Sequence, residues 1–193
     1  MSYTGSFYAN ETHRSADGII HAAVQKTIGL AMTQFSPEKF DGPWSRGGLG
    51  ISPIRPKDVA ATNQTTGLQG DVAGSLAWGV TAVTASTYSS WIDLNIDSRI
   101  YLVVTGIFNK TPNPQITHVK FFANGQDLPV LNIEELGLLE DPRVWFQEPI
   151  IITPTNNFKV DVTSPVTLAG VPSEQIGLLG YTVGKRAYLI STS

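Results

Sequence analysis

Cysteine is absent from the 193 residues, which excludes disulfides, a thiolate nucleophile and Cys-ligated zinc or iron. Charge is scarce as well: Asp, Glu, Lys and Arg make up 15% of the chain, against about a quarter in ordinary globular domains. The net charge is −3, and no basic stripe is present of the kind that holds phosphates, so direct nucleic-acid binding is not expected. No uncharged apolar run approaches the roughly 18 residues that would span a bilayer, so no membrane partner is expected either. Met1 to Asn10 lacks a basic start followed by an apolar stretch and does not read as a signal peptide.

Thr, Ser, Asn, Gln, Gly and Pro fill the deficit. With 18 Gly and 12 Pro, that mixture favours strands and turns over helices. The chain divides into two parts of different character, an N-terminal arm over residues 1–75 and a strand-rich domain over residues 76–193. In the first, Asp17 to Gln34 has Ile20, Val24, Ile28 and Ala31 at spacings of three and four, with Asp17 placed to cap a short helix. Ser36 to Gly74 has little periodicity and much Pro and Gly punctuation, but carries widely spaced apolar anchors. A long stretch of this kind inside a compact domain is uncommon. It reads as an extended arm whose Phe40, Trp44, Leu49 and Ile54 dock on neighbouring subunits, the alternative being an irregular segment that wraps its own sandwich.

The second part is a series of strand candidates. In Trp91 to Ile96, Ile92, Leu94 and Ile96 share one face, and Arg99 to Phe108 is apolar enough for a central strand. Ile116 to Ala123 ends at Asn124-Gly125, the strongest short hairpin signal, because both residues tolerate the positive φ of a type I′ turn. A helical turn is expected over Ile133 to Glu140, and a bulge or edge at Glu148-Pro149. Phe158 to Val162 alternates, and Gln175 to Val183 with Arg186 to Ile190 reads as a closing hairpin turning at Gly184-Lys185. Eight or more short strands with turns every 8–12 residues predict an all-β, antiparallel β-sandwich, jelly-roll-like, with an extended N-terminal arm.

No catalytic constellation emerges. The histidines are His13, His21 and His118; only His118 lies among the strands, and the chain has no Gly-x-Ser-x-Gly elbow to go with it. His-x-His, His-x-Asp and His-x-Glu do not occur, which sets aside a strand-borne metal site. Glu134, Glu135, Glu140, Asp141 and Glu148 cluster in one connection; a solvated loop explains them better than calcium binding or a glycosidase pair. Gly47-Gly48-Leu49-Gly50 has no following Lys-Ser or Lys-Thr and is not a phosphate loop. Trp44, Trp78, Trp91 and Trp145, with Tyr101, Tyr181 and Tyr188, could instead form a sugar-stacking platform, which keeps a carbohydrate-binding β-sandwich module open as an alternative function.

The order of strands from Trp91 to Phe108, Ile116 to Leu131, Val144 to Val162 and Gln175 to Ile190 resembles the single jelly-roll subunits of viral capsids and capsid-decorating proteins. The run from Pro149 to Val162 looks like the paired strands before the last hairpin of that fold. The resemblance covers about 115 residues and rests on pattern rather than a diagnostic motif. It implies a non-enzymatic virion protein with no cofactor, whose partners are copies of itself and other capsid proteins. Many capsid shells carry a basic N-terminal segment that this chain lacks, so an outer or decorating role is the one implied.

Overall fold

Runs of β-branched and aromatic residues broken by Gly, Pro or Asn become strands, and about half of the described residues lie in them. The computed structural model describes residues 7–8, 13–35, 48–59, 78–134, 136 and 142–190. In chain order the elements are β1 (Phe7–Tyr8), α1 (His13–Gln34), β2 (Leu49–Pro53), β3 (Val80–Val83), β4 (Ser89–Asn95), β5 (Ile100–Asn109), β6 (His118–Ala123), β7 (Gln126–Asp127) and β8 (Leu131–Asn132). There follow β9 (Arg143–Ile152), β10 (Asn157–Thr163), β11 (Leu168–Glu174), β12 (Ile176–Lys185) and α2 (Arg186–Ile190).

The first sheet has the order β1-β9-β5-β12-β2, the second β4-β10-β6-β7 with β8 also on β6, and β3 with β11 makes a separate ribbon. The antiparallel pairings nest. β2 pairs with β12, β3 with β11, β4 with β10, β5 with β9, and β6 with β7 and β8. The chain from β2 to β12 is therefore one long ribbon doubled back on itself. At its tip sits Asn124-Gly125, with φ of 51° and 78°, the conformation anticipated for this hairpin. Two further antiparallel pairings, β12 with β5 and β10 with β6, convert the ribbon into two facing sheets.

The space between the sheets is apolar. Ile100, Leu102, Val104 and Ile107 of β5 meet Val119, Phe121, Phe158, Val160 and Val162 of the second sheet in one buried cluster. Phe121 bridges the layers, edge-on to Phe146 at 5.5 Å and stacked on Phe158 at 6.4 Å. Burying each large side chain of this kind contributes about 1.5–3 kcal/mol. The alternate residues of β5, Tyr101 and Val103, point to the other side of the first sheet. There α1 covers them with Ala31 and Phe35, while Ala23, Val24 and Ile28 pack alongside. β5 is thus buried on both faces, which is why its sequence is an almost unbroken apolar run.

Several expectations change. The helix begins at His13, four residues before Asp17, so Asp17 does not cap it. Gly184-Lys185 is not a turn: β12 runs through both residues, and Arg186–Ile190 is helical. Gly184 serves close strand approach instead, since a Cβ there would sit 2.2 Å from the Arg99 carbonyl oxygen.

The largest correction concerns the arm. Among the described residues, the division at residue 75 does not separate two packing units. β2 extends the first sheet along β12, and α1 packs on β5, β9 and β12. Leu49 is 1% exposed in the cluster beneath α1, and Ile54 is 7% exposed in the main core. Neither has side-chain surface to give to a neighbouring subunit. The segment is also pinned by polar contacts. The buried Asp58 carboxylate accepts from Arg55 Nη2 at 2.9 Å and from Thr182 Oγ1 of β12 at 3.2 Å. Arg55 Nη1 in turn donates to the Leu189 carbonyl of α2 at 2.9 Å. Phe40 and Trp44 lie outside the described residues.

Candidate functional site

In β10, Phe158, Val160 and Val162 fill the core, so the period of two sends Asn157, Lys159 and Asp161 to the outer face of the second sheet. The same alternation in β6 buries Val119, Phe121 and Ala123 and leaves Lys120 and Phe122 outside. Register then decides the neighbours. Lys159 lies opposite Phe122 on one side and Asp93 on the other, Asp161 opposite Lys120 and Ser90, and Phe122 opposite Asp127. The product is a depression of about 240 Å³ lined by Lys120, Phe122, Asp127, Asn157, Lys159 and Asp161.

Its charges are organised in pairs. Lys120 Nζ lies 3.2 Å from Asp127 Oδ1, and Lys159 Nζ lies 3.0 Å from Asp161 Oδ2. Asn157 Nδ2 donates to Asp93 Oδ1 at 3.0 Å. The second oxygen of Asp161 is buried in the sheet, where no described group bonds to it. Two ammonium groups thus face two carboxylates around a half-buried aromatic ring. Such a lining offers hydrogen-bond donors, acceptors and an apolar face together, which is the chemistry of binding.

The residues weighed from sequence lie elsewhere. His118 Nδ1 is 2.9 Å from Thr117 Oγ1, and in the sheet His118 faces Thr163 and Asn132, neither of them an acid. His21 is exposed on α1, and the side chain of His13 is outside the described set. Of the acidic connection, Glu134 and Glu148 are exposed, while Glu135, Glu140 and Asp141 lie outside the described residues. Among the described residues, no group of three or more His, Cys, Asp or Glu is placed to hold a metal ion.

The aromatics do not gather into a platform among the described residues. Trp91 is fully buried, its indole N–H donating to the Gly79 carbonyl at 2.9 Å. Trp78 packs on Trp91 and Phe108. Tyr101 lies beneath α1 with its hydroxyl donating to the Gln34 side-chain oxygen, and Tyr181 packs in the same cluster. Tyr188 takes the Arg99 guanidinium over its ring at 4.8 Å; burial pushes its phenol up from the ordinary value. Trp145 is half-buried on β9, and Trp44 lies outside the described residues.

The depression was not singled out from sequence. Its signal was present in the alternation of β10, which marks Lys159 and Asp161 as outward-facing. The contribution of Lys120, Phe122 and Asp127 depends on cross-strand register, which no local pattern specifies.

No helix among the described residues is long and apolar enough to cross a membrane. No family model, curated protein or solved structure matches the chain.

Proposed function

We propose that this chain is a non-enzymatic structural subunit of a large assembly, a virion capsid or capsid-decorating protein built on a jelly roll. The observation that carries this reading is the nested strand order. Leave aside β1 and the β3–β11 ribbon, count β7 and β8 as one, and number the remaining strands 1 to 8. The sheets then have the orders 6-3-8-1 and 2-7-4-5. Pairing 1 with 8, 2 with 7, 3 with 6 and 4 with 5 is what rolling a single eight-stranded ribbon into two sheets produces, the architecture of jelly rolls.

Fold alone does not set function, and three further features favour assembly. Charge is low for a chain of this length. Leu30 and Met32 of α1 and Ile51 of β2 are 40%, 46% and 42% exposed. β2 also ends its sheet with one edge unpaired among the described residues, and such edges invite further pairing. In this reading the partners are copies of the chain itself and other capsid proteins, located in the virion.

Light scattering coupled to size exclusion, with electron microscopy of the same fractions, tests the proposal. Purified chain at rising concentration should form closed particles or rings, and the triple variant L30E/M32E/I51K should remain monomeric. A wild-type chain that stays monomeric across concentration and salt would overturn it.

A further inference from the structure

We infer that the depression on the outer face of the second sheet binds a single neutral sugar ring. The inference stands on that face alone and does not depend on the assembly reading. Size comes first. At about 240 Å³ the depression falls below the roughly 300 Å³ at which pockets begin to hold drug-sized ligands, so it suits one ring rather than an extended molecule.

Charge decides the class. The lining carries Lys120 and Lys159 against Asp127 and Asp161, each lysine already within 3.2 Å of its carboxylate. An anion or a cation would meet an opposite charge already neutralised and a like charge beside it. A neutral polyol has no such conflict, because each hydroxyl both donates and accepts and can bridge an ammonium and a carboxylate at once.

Phe122 supplies the remaining element. It lies in an outward row running Asp93, Lys159, Phe122, Asp127, where a polar side chain would be the ordinary choice. A half-buried ring between an ammonium and a carboxylate gives the C–H face of a pyranose a surface to pack on, with the polar groups around its rim. One acceptor is also held in place beforehand: one Asp161 oxygen is buried in the sheet and the other is bonded by Lys159, while the more exposed Asp127 orders on binding. At Asp161, little ordering is then left to oppose binding.

Saturation-transfer difference NMR tests this at any particle size, so a failure of assembly and a failure of sugar binding are distinguishable. The probes are methyl glucoside, methyl galactoside, methyl mannoside and N-acetylglucosamine, with glucose 6-phosphate as the charged comparison. At least one neutral probe should show saturable transfer concentrated on one C–H face, with a Kd of about 1–10 mM. F122A should weaken binding about tenfold, and D161N, which keeps shape and fold, about fivefold. M32S on α1 should leave it unchanged. Absence of saturable transfer from every neutral probe would overturn the inference. Wild-type affinity in folded F122A and D161N would do the same, as would binding of glucose 6-phosphate more than tenfold tighter than any neutral probe.

Discussion

Glu174 carries the most exacting stability prediction. It ends β11, is 1% exposed, and among the described residues faces no lysine or arginine in the contacts it makes. Its carboxylate instead accepts from Asn109 Nδ2 at 2.7 Å, from the Ile116 backbone N–H at 2.8 Å and from the Gln115 backbone N–H. Around it, Lys110 N–H donates to the Gln175 carbonyl at 2.9 Å, and Gln175 N–H to Thr111 Oγ1 at 2.7 Å. These bonds fasten the β5–β6 connection, where the chain crosses from the first sheet to the second. Glu174→Ala removes the acceptor from two buried donors, Asn109 Nδ2 and Ile116 N–H, while Gln115 can turn to water. At about 1–3 kcal/mol for each orphaned buried donor, the loss is about 2–6 kcal/mol, a large share of a total stability of about 5–15 kcal/mol. Glu174→Gln keeps one acceptor oxygen but sets an amide donor against the others. Turning Asn109 over to answer it would break the bond from Thr111 N–H to Asn109 Oδ1 at 3.0 Å. The glutamine variant should therefore fall between wild type and alanine. Urea unfolding followed by tryptophan fluorescence should show the midpoint falling with an unchanged slope. A loss below about 1 kcal/mol for Glu174→Ala would refute the premise that these donors have no other partner.

Deletion of residues 1–74 removes α1 and β2 and uncovers Tyr101, Val103 and Val183; the remainder should be insoluble or unfolded, and a soluble, cooperatively folding fragment on size exclusion and thermal melts would contradict the packing described. Thr105 is fully buried and its hydroxyl has no partner among the described residues, so Thr105→Val should raise stability by about 1 kcal/mol in the same urea assay; a loss would reveal a bound water at that hydroxyl. The Arg99 guanidinium, bonded to Asp97 at 2.7 and 2.8 Å, holds the Asp97 carboxyl below its ordinary 3.8. A depressed carboxylate contributes stability above its unfolded value and loses it as pH falls through the folded one. Asp97→Asn should therefore flatten the decline of Tm below about pH 4, and an unchanged acid limb would assign that decline to other groups.

What the sequence determined by itself is the local grammar of the molecule. Period-two alternation in Phe158 to Val162 separated core from surface, the largely apolar run from Arg99 to Phe108 marked a central strand, and Asn124-Gly125 fixed the ribbon's tip. These signals are legible because they depend on residues a few positions apart, whose geometry the backbone dictates. The tertiary structure alone decided which strands pair, and with that everything that relies on register. Leu49 and Ile54 look like free anchors in a Pro- and Gly-punctuated stretch; only the pairing of β2 with β12 and the covering by α1 reveal them as core. Glu174 resembles any polar residue near a loop until Asn109, Gln115 and Ile116 converge on it across at least 58 positions of chain. Lys120, Phe122, Asp127, Lys159 and Asp161 form one depression because β10 lies beside β6 in a particular register. A shift of one residue would send each of those side chains to the opposite face, and that choice is made by the core as a whole rather than by any one strand.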